Sequence, residues 1–402
     1  MVDDAACDLP SAERSDDDLA TVGDLAVALP SARAGRVLGD ASTTLRGVTH
    51  DSRRVSPGVL FACVRGDRFD GHRFGPDAIA AGAAALLVDH PLDVAAPQLV
   101  VDDTRLALGP ASAAVYGHPS SSLAVVGVTG TNGKTTTTHL LAAIFEAAGQ
   151  RTGILGTLSG GHTTPEAPAL QQRLAESRDR GASAVVMEVS SHALAMHRVD
   201  GTHFAAAVFT NLGRDHLDLH HSVEEYFRAK AALFAPGLSE IGVTNTDDAH
   251  GRLLADAAPI PMFGFSLADA SDIDVGAGHH SLTWRGVRIR VGLGGTFNVL
   301  NTLAAATTAA ALGLGLDAIV EGLATAGAVP GRFERIDTAD LGFDVVVDYA
   351  HTPDGLAELV GAARAVVPAA ASCWCSAPGA TAITPNVPTW VPPPFGWPTG
   401  SP

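Results

Sequence analysis

Of the 26 cationic side chains in this chain of 402 residues, only two are lysine, Lys134 and Lys230; the rest are arginine. A sequence that has replaced nearly every lysine and kept two needs an amine at those two places. An ammonium approaches phosphate as a compact point charge, or loses its proton and reacts; guanidinium does neither well. Lys134 sits in Gly127-Val-Thr-Gly-Thr-Asn-Gly-Lys-Thr, an apolar run followed by a glycine-rich turn. Such a loop converges backbone N–H groups on phosphate oxygens, adds the positive end of a helix, and lets the lysine bridge the outer phosphates. Gly130, Thr131, Asn132, Gly133, Lys134, Thr135 and Thr136 are the candidate nucleotide contacts, with the Thr135 hydroxyl placed for Mg²⁺. The generic pattern has glycine where this chain has Val128, and a plain glycine turn before a helix is the alternative reading.

Further polar groups follow apolar runs. Glu188, in Val-Met-Glu-Val-Ser-Ser-His, closes a strand with a carboxylate that can reach a phosphate-bound Mg²⁺. Taken alone it reads equally as an ordinary strand-end acid. Asn211 and His216 lie in Phe209-Thr-Asn-Leu-Gly-Arg-Asp-His-Leu-Asp, directly after another apolar strand. His216 alone reads as a surface histidine, and beside the others as a ligand. His220 and His221 read as exposed loop residues.

The elements that must position these groups alternate in type. Residues 1–21 form an acidic tail. Residues 22–118 carry strand-length apolar runs at 58–64 and 84–88 between alanine-rich helical stretches, the pattern of a small α/β domain. A linker at 116–121 leads to a central domain over 119–330. There strands at 124–128, 184–187, 206–209 and 241–244 alternate with helices, the first over 135–148. That order predicts a mainly parallel, doubly wound sheet, in which strand C-termini face the ligand crevice. A third unit opens at 331, with a strand at 343–348 and a helix at 355–367. From residue 376 the texture turns to Pro, Thr, Trp and Gly without periodicity.

Composition limits the function classes. Hydrophobic residues make up 46% and charged residues 17%, enough for sizeable cores. The net charge of −17 argues against a nucleic-acid binder. An anionic substrate must therefore be held by local positive groups and metal ions against the overall field. Cys7, Cys63, Cys373 and Cys375 form no metal-ligand spacing, and a reducing, cytoplasmic setting is expected. The acidic N-terminus is unlike a signal peptide, and no apolar run reaches the ~18 residues of a membrane span.

The runs Thr-Gly-Thr-Asn-Gly-Lys-Thr-Thr-Thr-Thr (129–138), Met-Glu-Val-Ser-Ser-His (187–192), Phe-Thr-Asn-Leu (209–212), Arg-Asp-His-Leu-Asp (214–218) and Val-Asp-Tyr-Ala-His-Thr-Pro (347–353) together resemble the Mur ligases, and among them the MurE branch. The likeness runs from about residue 45 to about 375. It implies a UDP-sugar-binding first domain, a central phosphate-loop ATPase domain and a C-terminal Rossmann-like ligase domain. It implies ATP-dependent addition of an amino acid, meso-diaminopimelate or L-lysine, to UDP-N-acetylmuramoyl-L-alanyl-D-glutamate through an acyl phosphate. ATP and Mg²⁺ are the implied cofactors, and a monomer is expected. By resemblance Lys134 holds ATP phosphates, Thr135 and Glu188 one Mg²⁺, and His216 a second. Lys230 corresponds to a carbamylated, metal-binding lysine; the ordinary reading is a solvated helix lysine. Asn298 and Asn301 correspond to the adenine segment, and Arg332 and Asp348 to a hinge arginine and a ribose-binding aspartate. Ser52 and Arg53, after Asp51, correspond to the uridine side, and Thr163, Thr164, Ser190 and Arg198 to muramyl-peptide contacts. Met196 departs from the polar residue some relatives carry.

The C-terminus departs further. MurE-like chains continue with a glycine-rich run ending Lys-Arg-Pro, whereas residues 376–391 here read SAPGATAITPNVPTWV. Back-translated with GC-rich codons behind one added T, that stretch reads FGAGGDRDHAKRPDMG in a neighbouring frame. The expectation is a frameshift near codon 375, a third domain cut to 331–375 and an unpacked tail over 376–402. The alternative function is then a ligation-deficient protein that binds nucleotide and UDP-muramyl peptide.

Overall fold

A computed structural model describes residues 19–29, 35–66, 69–160, 162–213, 215, 217–338 and 343–366. His216 and the segment from Val367 onward, with the expected frameshifted tail, lie outside the described residues.

The first helix begins at the expected boundary, after a buried residue and a cap. Leu19 is buried, and Thr21 caps helix α1 (Val22–Ala28). The Asp24 N–H donates to Thr21 Oγ1 at 3.1 Å, and the Asp24 carboxylate accepts the Thr21 N–H at 2.9 Å, a reciprocal cap. Then follow β1 (Arg36–Leu38), β2 (Gly47–Thr49), β3 (Val59–Ala62), α2 (Gly75–Ala80), β4 (Ala85–Val88), β5 (Gln98–Val100) and α3 (Thr104–Val115). The sheet runs β1-β5-β4-β3-β2, parallel except for β1. Strands β3 and β4 are buried along their whole length, so they read as unbroken apolar runs. Leu60, Ala62 and Leu87 pack in one core with Leu108 and Ala111 of α3, and Phe61, Leu86 and Val88 in another with Ala78 of α2.

The central unit comprises β6 (Ala124–Thr129), α4 (Lys134–Ala147), β7 (Thr152–Leu155), α5 (Ala167–Asp179), β8 (Ala184–Glu188), α6 (Ser191–Ala195), β9 (Phe204–Phe209), α7 (Leu217–His220), α8 (Val223–Ala231), β10 (Ser239–Asn245), α9 (Ala249–Ala257) and β11 (Met262–Phe265). Its six strands are all parallel, in the order β11-β10-β9-β6-β8-β7. The winding reverses at β6, and a crevice opens outside the C-terminal ends of β6 and its neighbours β8 and β9. The three strand ends that carry Lys134, Glu188 and Asn211 are therefore adjacent.

An antiparallel meander, β12 (Ala270–Val275), β13 (His280–Trp284) and β14 (Val287–Val291), precedes α10 (Phe297–Ala311) and α11 (Leu316–Thr325). The sequence reading missed this meander, although its hairpin is signalled. Arg285 and Gly286 have φ of +50° and +78°, the signs a two-residue turn between twisted strands requires. Leu282, Trp284, Ile289 and Val291 join Leu140, Phe145 and Leu303 in one core. The last described unit is β15 (Glu334–Ile336), paired antiparallel to β16 (Val345–Val347), and α12 (Pro353–Val366).

Candidate active site

The turn between β6 and α4 is shaped by two glycines, with φ of +149° at Gly130 and +84° at Gly133. A Cβ on Gly130 would lie 1.9 Å from Thr210 Oγ1, and one on Gly133 2.3 Å from Asn301 Oδ1. Glycine thus lets the end of β9 and the start of α10 press against the loop. Asn211 fixes the turn: its Oδ1 accepts the Asn132 N–H at 2.9 Å and its backbone O accepts the Thr131 N–H at 2.9 Å. Thr210 Oγ1 donates to Asn132 O at 2.5 Å. Two N–H groups expected to face phosphate are therefore spent on the loop itself. What remains is the start of α4, over Lys134, Thr135 and Thr136, which has no side-chain cap. An uncapped helix start offers both free N–H groups and positive potential to an anion.

Both lysines converge on one atom of this loop. Lys134 Nζ donates to Gly130 O at 2.9 Å and to Thr131 O at 2.8 Å. Lys230 Nζ, from α8, donates to the same Gly130 O at 2.9 Å. Lys230 is only 1% exposed, so it is not a solvated helix lysine. Tyr226, one helical turn before it, lays its ring 4.5 Å from Nζ and hydrogen-bonds Thr131 Oγ1 at 3.1 Å. Burial pushes the Lys230 amine well below the ordinary lysine range, and the neighbouring Lys134 charge pushes the same way. Burial also lowers Lys134, against the opposing pull of Glu188.

Glu188, at the end of β8, is 2% exposed. Its carboxylate accepts the Thr157 N–H at 2.8 Å and the Thr157 hydroxyl at 3.3 Å. Gly156 is required here, because its Cβ would lie 2.3 Å from Glu188 Oε1. The Thr163 hydroxyl lies 3.1 Å from that of Thr157. Thr164 is buried: its hydroxyl donates to Glu188 O at 2.9 Å and accepts the Ser190 N–H at 3.0 Å. Its side chain thus ties the end of β8 to the start of α6, beside Glu188. Ser190 caps α6 by accepting the Ala193 N–H at 3.2 Å. Arg198 donates to Thr164 O at 3.3 Å and pairs with Glu166 at 2.9 Å. The other Glu166 oxygen pairs with Arg105 of α3 at 3.0 Å, which joins the first unit to the central one.

Arg105 also lines a cavity of about 500 Å³ in the first unit, with His50, Asp51, Ser52, Arg53, Val64 and Phe74. Arg53 folds back on Asp51 in a bidentate pair at 2.9 and 2.8 Å and is 87% exposed. That hydrogen bonding holds the Asp51 carboxyl down at about 2. Burial lowers His50 below its ordinary value, with the Glu166 carboxylate opposing.

Asn298 and Asn301 are buried, with Asn298 Nδ2 donating to Gly294 O at 2.7 Å and Asn301 Nδ2 to Asn298 Oδ1 at 2.8 Å. Both Asp348 carboxylate oxygens accept backbone N–H groups, of Phe333 and Ala350, at 2.7 Å. The Arg332 guanidinium stacks 4.6 Å over Tyr349, close enough to Lys134 to disfavour its charge. The structure thus gathers Lys134, Thr135, Lys230, Glu188, Asn211, Asn301 and Arg332 around one loop, and leaves Ser52 and Arg53 at the separate cavity. Sequence reasoning assigned no role to Tyr226, Thr210 or Arg105, and placed Glu166 only within the run that resembles muramyl-peptide contacts. The i, i+4 spacing of Tyr226 and Lys230 was a readable signal for the first; the others depend on tertiary contacts.

The donor set at the crevice, the Thr135 hydroxyl and the Glu188 carboxylate, is the hard-oxygen chemistry Mg²⁺ takes. An uncapped helix start with glycines packed to contact fits a nucleotide's phosphates. Parallel sheet, switch-point loop and strand-end carboxylate together define a phosphate-loop nucleotide-binding protein.

Residues 128–309 match the Mur ligase middle domain, and residues 44–119 the Mur ligase family catalytic domain. The UDP-N-acetylmuramoyl-L-alanyl-D-glutamate–2,6-diaminopimelate ligase of Streptomyces coelicolor is 42% identical over 353 residues, covering 81% of this chain and 69% of its own. That of Streptomyces avermitilis is 44% identical with the same coverage. A solved structure of a ligase of the same name superposes with a TM-score of 0.71 at 29% identity, covering 86% of this chain and 74% of that one. The chain belongs to the Mur ligase family, on the branch of the diaminopimelate-adding ligases.

Proposed function

We propose that the protein joins an amino acid, 2,6-diaminopimelate by the names of its relatives, to UDP-N-acetylmuramoyl-L-alanyl-D-glutamate at the expense of ATP, in peptidoglycan synthesis. The reading rests above all on one observation. The two retained lysines meet at Gly130 O, beside an uncapped helix start, with Glu188 near enough to favour the Lys134 charge. The γ-carboxylate of D-Glu attacks the γ-phosphorus of ATP, and the amine of the incoming amino acid then displaces phosphate from the acyl phosphate. Lys134, moved from its loop carbonyls, binds the transferring phosphoryl group, and the helix start holds the neighbouring phosphates. Thr135 and Glu188 would hold Mg²⁺, which supplies charge neutralisation at the phosphates.

Lys230 gains a role from its burial. Burial favours the neutral form of its amine, and a neutral amine adds CO₂, releasing a proton and leaving an anionic carbamate that is itself a hard-oxygen ligand. The cavity lined by Ser52, Arg53 and Arg105 takes the UDP end of the sugar nucleotide, and Thr163, Ser190 and Arg198 line the way from there to Glu188. Asn301 and Arg332 flank the nucleotide, a single chain carries the whole site, and the setting is the cytoplasm. The test is ADP release measured with ATP, UDP-muramoyl dipeptide and each amino acid, singly omitted. Release that needs all three supports the ligase; release independent of the muramoyl dipeptide overturns it. Binding of both nucleotides without turnover favours the ligation-deficient alternative.

A further inference from the structure

Among the described residues, one group of metal-ligating side chains lies apart from the crevice, in the first unit. His72, Asp89 and His90 bring a ring nitrogen each and a carboxylate oxygen within 4.8 Å of one another. His72 sits in the short 3-10 turn Gly71–Phe74, and Asp89 and His90 directly follow β4. The His72 and His90 rings stack with centroids 4.5 Å apart.

Asp70 sets which nitrogen of His72 carries the proton. His72 is buried, with Nδ1 2.7 Å from Asp70 Oδ1 and Nε2 3.2 Å from Asp89 Oδ1. A neutral imidazole has one N–H. Donated to Asp70, it leaves Nε2 unprotonated, an acceptor that takes the Asp89 backbone N–H at 3.2 Å and presents a ligand-competent lone pair toward Asp89. His90 Nδ1 lies 2.5 Å from the same Asp89 oxygen. Two nitrogens and one carboxylate oxygen are thus aimed at a single small volume.

The geometry points to a divalent transition-metal site of the zinc type, with His72 Nε2, His90 Nδ1 and Asp89 Oδ1 as its three protein ligands. Zinc holds His nitrogen and carboxylate oxygen at about 2.0–2.2 Å in tetrahedral geometry, so ligand atoms stand roughly 3.3 Å apart. The His72–Asp89 separation of 3.2 Å already meets this; the His90–Asp89 contact must open from 2.5 Å, which an exposed histidine side chain can do. The surroundings match what such a site needs. Asp70 orients His72 through Nδ1, and Arg65 holds Asp89 from outside the cluster, Oδ2 at 2.8 Å and Oδ1 at 3.1 Å, the longer of which the ion would displace. A carboxylate behind a ligating histidine fixes its tautomer and raises its basicity. Gly71 and Phe74, in the same turn as His72, line the 500 Å³ cavity, so the ion would clamp that cavity's wall to the end of β4.

The test is calorimetric titration of the untagged, full-length chain with Zn²⁺, in excess Mg²⁺ and ATP so that the crevice is filled. Expected is one tight site, lost in His90→Ala. Asp70→Asn, which keeps the ligands and removes only the orienting carboxylate, should weaken it by roughly 10- to 100-fold. Co²⁺ in place of zinc should give the visible bands of a tetrahedral site in the parent chain and not in His90→Ala. No tight site in the parent chain, or one that His90→Ala and Asp70→Asn leave unchanged, overturns the assignment. Because His90 is half-exposed, loss of the fold in that variant is not expected; circular dichroism checks it, and Asp70→Asn decides if it occurs.

Discussion

Replacing Glu166 by Gln should loosen the joint between the first and central units and weaken the sugar-nucleotide site at a distance. The Glu166 carboxylate bonds Arg105 at 3.0 Å and Arg198 at 2.9 Å, from a position 21% exposed between guanidiniums 23% and 16% exposed. Hydrogen bonds to charged groups contribute about 1.5–3 kcal/mol each. Partial exposure screens these, and discounting by about half leaves roughly 1 kcal/mol per arm. Glutamine keeps the shape and one acceptor but removes the charge, so about 2 kcal/mol of stability should go. Arg105 lines the cavity and Arg198 holds the Thr164 carbonyl, so Kd for UDP-muramoyl dipeptide should rise by a factor of roughly 5–30, as 1–2 kcal/mol dictates. The assay is a double-mutant cycle of Glu166→Gln with Arg105→Gln, read by urea unfolding and by calorimetric binding of the sugar nucleotide. Contacting charges should couple by more than about 0.5 kcal/mol. Additive effects in both readouts would refute the bridge as an energetic link.

Lys134→Ala should lower kcat by at least about 10²–10³, since one positioned cation at a transferring phosphoryl group is worth a few kcal/mol, while calorimetric sugar-nucleotide affinity stays within twofold. Lys230→Arg should abolish turnover and also cost about 1–3 kcal/mol in unfolding experiments, because a guanidinium overfills a cage closed by Tyr226 and Gly130; wild-type turnover in this variant would sink the carbamate role. Gly133→Ala should destabilise by more than 1 kcal/mol in the same unfolding assay, given its positive φ and an Asn301 oxygen 2.3 Å from the new Cβ. Stability in CO₂-free buffer should rise with pH toward about 10.4: the buried Lys230 amine has a lowered pKa, so between the two values the unfolded chain binds more protons. Lys230→Met should flatten that rise, and an unchanged slope would show that Lys230 is not its source.

What the sequence made legible was local. The β6 strand, its glycine turn and the following helix are one contiguous stretch, and the order of strands brought Glu188 and Asn211 beside it because parallel sheets gather their C-terminal ends. The meander over 270–291 was lost among longer helical runs, although Arg285-Gly286 marks its turn. The Glu166 bridge joins residues 61 and 32 positions away, and nothing in composition or period announces such pairs. The partners of Thr164 were equally invisible: its buried hydroxyl is satisfied by Glu188 O and the Ser190 N–H, 24 and 26 positions away. The lysine count proved informative for a reason that only the structure supplies. One amine on Gly130 O could have been read as loop packing. Two, arriving from helices α4 and α8 and nearly a hundred residues apart, set amines so close that burial and the Lys134 charge both disfavour a charged Lys230. A chain that has exchanged lysine for arginine almost everywhere else tolerates that repulsion only where an anion between the two amines, or a change in one of them, relieves it.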